Sequence, residues 1–199
     1  MLRVEKVVGS LLSSNMYILF DESTTNCWII DAGDYLALAK TLPKDCIIKG
    51  VFLTHSHFDH IAGLNDLLAD YPDCLVYTSE YGAVALYSAK KNMSYYHEKP
   101  FVLSGNNVIV LRDNDKVELF PNEYLNALAT PGHCPSCLTF YTDKMVFTGD
   151  AYIPGVPIVT KLPRGNKVDA ALSLEKILLL TKDRLICPGH DIERWESIL

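Results

Sequence analysis

The chain has 199 residues, 49% hydrophobic and 21% charged, with a formal net charge of -6. That size and balance suit one folded domain over residues 1–199 and exclude a disordered chain. The acidic charge removes the broad basic footprint of a nucleic-acid binder, and no apolar run reaches the roughly 18 residues of a membrane span.

Met1 to Lys6 lacks a hydrophobic signal core, so a cytoplasmic protein is expected. Val4 to Val8 and Met16 to Phe20 read as strands joined by a polar connection, Ser10 to Asn15. Asn26 to Asp31 is a third strand, ending at Ala32-Gly33-Asp34. Tyr35 to Leu42 reads as a short helix stopped by Pro43. Ile47 to Leu53 is an apolar run with the character of a buried strand. His60 to Asp70 carries Ile61, Leu64, Leu67 and Leu68 on one helical face. Cys74 to Tyr77 is a strand, and Ser79 to Ala89 a helix with Ser79 as its cap. Val108 to Leu111 and Lys116 to Phe120 flank Asp113-Asn114-Asp115 and read as a hairpin-like pair. Tyr124 to Ala129, Leu138 to Tyr141 and Lys144 to Phe147 continue the strands. Val168 to Leu180 is a helix, and Arg184 to Cys187 the last strand.

Between the strand Ile47 to Leu53 and the helix after it stands Thr54-His55-Ser56-His57-Phe58-Asp59-His60. Three of the six histidines lie here, with a carboxylate among them. Imidazole suits zinc, iron, copper or nickel. In extended chain His55 and His57 point to one side and can grip one ion, while Asp59 and His60 in the turn can face a second. A solvated polar turn is the plainer alternative, but it does not account for a position behind a buried strand.

The segment His55-x-His57-x-Asp59-His60 resembles the signature of the metallo-β-lactamase superfamily. Thr130-Pro131-Gly132-His133, Phe147-Thr148-Gly149-Asp150 and Pro188-Gly189-His190 match its later motifs in order. The resemblance runs from about Leu11 to Asp191. It implies an α+β fold, a four-layer αββα sandwich of two mostly antiparallel sheets flanked by helices. It implies one metal on His55, His57 and His133, a second on Asp59, His60 and His190, and Asp150 bridging them. Two Zn2+ per chain are expected on this resemblance, with iron or manganese as alternatives. Asp31 and Gly33 resemble the strand-end motif whose carboxylate supports the metal site. Helix capping is an equal alternative for Asp31.

Two metals can share a hydroxide that forms at neutral pH. The resemblance therefore implies a dinuclear-zinc hydrolase cleaving a small thioester, ester or lactone. In it Asp59 orients the hydroxide or carries its proton, and the Tyr152 phenol is a candidate donor to the oxyanion. The glyoxalase-II enzymes of the superfamily add a helical C-terminal domain, which the nine residues after His190 do not supply. Persulfide dioxygenases of the superfamily hold one iron on nearly the same motifs, so an oxidoreductase is the alternative. A non-catalytic metal-binding protein is a third reading. Lactamase activity itself is not expected, since those enzymes are mostly exported. The partner is a small-molecule substrate, with no nucleic acid and no membrane. The sequence does not set the oligomeric state, and a homodimer is common in such folds.

Around this frame lie weaker candidates. Tyr95, Tyr96 and His97 occupy a polar-aromatic stretch that in the family borders the substrate mouth. Lys161 and Arg164 are candidates to hold an anionic group. Six cysteines are present. Without an export signal they read as free thiols, with Cys27, Cys46, Cys74 and Cys187 acting as small hydrophobes. Cys134-Pro135-Ser136-Cys137 departs from the usual family motif after His133. There Cys137 suits packing, and Cys134 is the thiol whose reactivity bears checking.

Overall fold

The computed structural model describes residues 2–192. The outer ends of the expected 1–199 domain lie outside the described residues. The first sheet contains β1 (Leu2–Val8), β2 (Asn15–Asp21), β3 (Asn26–Ile30), β4 (Ile47–Phe52), β5 (Leu75–Thr78) and β6 (Val108–Val110), in chain order. The second holds β7 (Lys116–Phe120), β8 (Glu123–Ala129), β9 (Leu138–Tyr141), β10 (Met145–Gly149) and β11 (Leu185–Pro188). Its order is β11-β10-β9-β8-β7. The described helices are α1 (Tyr35–Thr41), α2 (Phe58–Ile61), α3 (Leu64–Asp70), α4 (Glu80–Ala85) and α5 (Lys167–Leu180).

Alternation along the strands builds the layers. On β2, Met16 and Ile18 pack with Leu38 of α1 and Leu64 and Leu67 of α3. Their neighbours Tyr17 and Leu19 face the other way, into a core with Phe140 and Phe147 of the second sheet. On β3, Cys27 and Ile29 join the helical side, and Trp28 and Ile30 the inter-sheet side. A strand apolar on both faces can only sit between two layers. Each fully buried Leu, Ile or Phe contributes about 1.5–3 kcal/mol. Trp28 pins the sheets together by donating its indole N–H to the Leu119 carbonyl at 2.9 Å. On the far side, Ile177 of α5 packs with Cys134, Cys137 and Ala151. The result is the four-layer αββα sandwich. Among the described residues no helix is long and apolar enough to cross a membrane.

Four local expectations are corrected. The first sheet is mixed rather than mostly antiparallel, since β1–β3 pair antiparallel but β3 to β6 run parallel; the second is mostly antiparallel as expected, with only β11 parallel to β10. The segments around Asp113-Asn114-Asp115 do not form a hairpin. There β6 pairs with β5 and β7 with β8, so the chain crosses between sheets. Asp113 Oδ1 accepts the Ala129 N–H and Asp115 Oδ2 the Arg112 N–H, both at 2.7 Å, which holds that crossing. The helix expected over His60 to Asp70 is two helices, because Gly63 N–H turns to the Ala32 carbonyl at 2.8 Å. A β-carbon at Gly63 would collide with the Tyr35 backbone. Finally, Cys27 and Cys46 are not free: they form a disulfide with Cα atoms 6.1 Å apart.

Candidate metal centre

The strand ends do the positioning. β4 runs out into Thr54-His55-Ser56-His57, still extended at His57, and α2 then turns Asp59 and His60 back beneath it. His133 lies in the loop from β8 to β9, Asp150 follows β10, and His190 follows β11. All seven side chains are buried. Their ligand atoms form three sets, each within 4.8 Å: His55, His57 and His133; His55, His60 and Asp150; Asp59, His60 and His190. Asp150 reaches both ends of the cluster. Its Oδ2 is 3.6 Å from His133 Nε2, and its Oδ1 is 3.6 Å from both His60 Nε2 and His190 Nε2. Asp59 Oδ2 is 3.2 Å from His190 Nε2 and 3.4 Å from His60 Nε2.

Hydrogen bonds behind the cluster choose which nitrogen faces inward. Asp31 Oδ1 accepts the Thr54 N–H, and its Oδ2 accepts the Thr54 hydroxyl, both at 2.7 Å. The hydroxyl has only one proton. Thr54 Oγ1 must therefore accept from His55 Nδ1–H, 3.1 Å away. That leaves His55 Nε2 as a bare lone pair, buried and without a hydrogen-bond partner among the described residues. His133 Nδ1 likewise donates to the Val159 carbonyl at 2.8 Å, and His60 Nδ1 to Asp31 Oδ2 at 2.8 Å. Their Nε2 atoms face the cluster. Asp150 Oδ1 is also buried without a hydrogen-bond partner. Unpaired lone pairs on a buried imidazole and a buried carboxylate are costly unless a cation takes them. Five imidazoles and two carboxylates are a donor set suited to zinc, iron or manganese. The residues fit bound metal.

The electrostatics agree. Burial, then the neighbouring imidazoles, hold His55 well below the usual histidine value, so it is neutral. Burial also lowers His57. Burial pushes His60 down too, but Asp59 and Asp31 outweigh it and hold it well above the usual value. Burial would raise Asp59, but His60 and the bonds from His190 and His60 keep its carboxyl well below the usual range. The positive charge that Asp59 and Asp31 draw onto His60 marks where a bound cation would sit; with a cation there, His60 would be neutral and its Nε2 free to bind.

Three glycines precede ligands, and they act differently. Gly132 (φ +143°) and Gly149 (φ +50°) occupy backbone that other residues rarely adopt. Gly189 has no such φ. It is needed because a β-carbon there would strike Asp150 Oδ1. The His190 loop is moored by Tyr17, whose hydroxyl donates to the Pro188 carbonyl at 2.7 Å.

The weaker candidates divide. Asp31 supports the cluster, while Asp34 caps α1 by accepting the Ala37 N–H at 3.0 Å. Tyr152 packs on the group formed by Cys134, Cys137, Ala151 and Ile177 and is not among the cavity-lining residues. Tyr96 and His97 line a cavity of about 400 Å³ over the cluster, but Tyr95 does not. Lys161 and Arg164 are exposed and do not line it either. The guanidinium of Arg164 lies over the Tyr81 ring, 5.6 Å from its centre. Cys134 and Cys137 are buried with sulfurs 3.4 Å apart.

Sequence reasoning missed Ser136. Its hydroxyl meets both the N–H and the hydroxyl of Ser56 at 2.9 Å, and its carbonyl accepts from Ser79 Oγ at 3.0 Å. Also missed were Leu12, Phe58, Met93, Val159 and Leu162 in the cavity wall. A seryl link between loops 80 residues apart leaves no local signal.

Residues 9–190 match the model of the Metallo-beta-lactamase superfamily. The hydroxyacylglutathione hydrolase of Salmonella arizonae is 29% identical over 170 residues, 83% of this chain and 57% of that protein. That of Hamiltonella defensa is 25% identical over 185 residues, 90% of this chain and 64% of its own length. The chain thus spans about three fifths of the length of these curated relatives. Among solved structures, the B3 metallo-beta-lactamase BLEG-1 superposes with a TM-score of 0.85 at 22% identity, over 94% of this chain and 91% of its own. TTHA1623, solved in a di-iron-bound form, gives 0.76 at 26% identity over the same shares. On the matched family model, the ordered motifs and the sandwich, the chain belongs to the metallo-beta-lactamase superfamily.

Proposed function

We propose that the chain is a metal-dependent hydrolase of a small thioester, ester or lactone, working at a dinuclear zinc centre. The observation that carries this reading is the pair of buried ligand atoms without hydrogen-bond partners, His55 Nε2 and Asp150 Oδ1, among seven converging donors. His55, His57 and His133 would hold one ion and Asp59, His60 and His190 the other. Support for a shared ligand comes from Asp150, which turns one oxygen toward each set. The curated relatives named as hydroxyacylglutathione hydrolases support a hydrolytic reaction.

When bound, the ions would supply a nucleophile at neutral pH, by lowering the pKa of coordinated water to about 7, and would polarise the substrate carbonyl. The chain's own residues do the rest. Asp59 lines the cavity as a carboxylate, so it can accept a hydrogen bond from the attacking water and orient it. The outer partners Asp31, Thr54 and Val159 fix which imidazole nitrogens face inward. Water adds to the carbonyl carbon, the bond to sulfur or oxygen breaks, and the proton passes to the departing thiolate or alkoxide.

A second reading, a mononuclear-iron oxidoreductase acting on a persulfide, draws on the di-iron-bound neighbour only as support for iron in such a site. The test is metal analysis of protein purified without added metal, read beside a panel of thioesters, esters and lactones. About two zinc per chain, with hydrolysis that a chelator abolishes, is the expected result. About one iron per chain, with oxygen uptake on a persulfide and no hydrolysis, overturns it.

A further inference from the structure

The cavity has a floor and a wall of opposite character. The floor is His57, Asp59, His133, Asp150 and His190. The wall is Leu12, Phe58, Met93, Tyr96, Val159 and Leu162, with the His97 ring resting on Phe58 at 4.4 Å. Among the described residues no lysine or arginine lines it. A carboxylate held against Leu12, Phe58, Met93 and Leu162 would lose its water and meet no lysine or arginine.

Two of the wall residues are held there against backbone preference. Leu12 sits at φ +48° in the connection from β1 to β2, and Met93 at φ +65° in the loop after α4. Large side chains rarely occupy that region, and two of them on separate loops converge on one cavity. The Met93 loop is fastened from both sides. Asn92 Nδ2 donates to the Ala85 and Phe101 carbonyls at 3.1 Å, and Asn92 Oδ1 accepts the Ser94 N–H at 3.0 Å. Both Asn92 and Ser94 are fully buried. The loop is therefore held in place to present Met93 and His97 to the cavity, with Tyr96 at its exposed rim.

We propose that the substrate carries an uncharged alkyl or aryl chain beside its scissile carbonyl, seated against Leu12, Phe58, Met93 and Leu162. No anionic group of the substrate is recognised by the wall. This rests on the hydrolase reading for the reacting carbonyl, but not for the apolar seat. The cavity is small, at the low end of the range for small-molecule sites, so selectivity rises with chain length only until it is filled.

The experiment is calorimetric titration of the metal-loaded protein with S-methyl, S-butyl and S-hexyl thioethers of N-acetylcysteamine, and with S-hexylglutathione. No turnover is needed. Affinity is expected to rise about fourfold per methylene at the early steps, with no gain from the charged tripeptide. Met93→Glu and Leu162→Glu should each weaken the S-hexyl probe at least tenfold, while Val84→Ser, outside the cavity, should not. Should Met93→Glu fail to fold, Leu162→Glu carries the comparison. Affinity independent of chain length, or tenfold tighter binding of S-hexylglutathione than of the uncharged hexyl probe, overturns the proposal. Running the butanoyl and hexanoyl thioesters as substrates separates the two readings. Chain-dependent binding without hydrolysis removes the hydrolase and keeps the apolar seat, whereas hydrolysis with flat binding does the reverse.

Discussion

The floor of the cavity and its wall are built on different principles. The metal donors on and beneath the floor issue from strand ends, from the first turn of α2 and from the loop before β9, and His55, His60 and His133 are each held by a second partner behind them. The wall comes largely from loops, and its Tyr96 is 74% exposed. The floor needs fixed atoms, because ligands misplaced by about 1 Å lose the ion or the reaction. The wall needs only an apolar surface of suitable shape, so it tolerates variation.

Substitutions can break that contrast or sharpen it. The largest effect belongs to His55→Ala, which removes the nitrogen left without a partner. Metal content by mass spectrometry should fall at that position and hydrolysis should drop by more than about 100-fold, beyond what outer partners cost. Asp31→Asn keeps the shape but weakens the hold on His60 and Thr54. Chelator competition should show metal affinity reduced about 10–100-fold. If Asp31→Asn leaves affinity unchanged, the floor is not braced as described.

Asp34→Ala moves one level down, to the scaffold. Loss of the α1 cap should cost about 1 kcal/mol in urea denaturation at pH 7. Burial raises the Asp34 carboxyl, but hydrogen bonds from Ser10 and Ala37 win and hold it below the ordinary range. A lowered folded value means the contribution is complete above the ordinary aspartate pKa of about 4 and is lost as pH falls through the folded one. The difference between Asp34→Ala and the unaltered protein should therefore shrink only in acid. The smallest effect is expected from Tyr96→Ala on the rim. Here kcat/KM should change by a few-fold at most, with metal content untouched.

The same division decides what could be read before the structure. His55, His57, Asp59 and His60 lie within six residues, and His133, Asp150 and His190 each follow a glycine, so local pattern exposes them. Short continuous apolar runs likewise reveal strands such as β2 and β4. What stays hidden depends on partners distant in sequence. Nothing near Asp113-Asn114-Asp115 tells whether the flanking strands pair with each other or with separate sheets. Nothing near Gly63 announces that its N–H turns to the distant Ala32 carbonyl and divides the helix. The apolar wall is scattered from Leu12 to Leu162, and only folding brings it together.

Ser136 carries a consequence for timing. Its hydroxyl and carbonyl join the Ser56 loop, the loop before β9 and the start of α4 through bonds that involve no metal. The freedom of these loops is lost when the chain folds, not when an ion arrives. An incoming ion meets a seat already ordered, and its binding free energy goes into holding the ion rather than into assembling the loops around it.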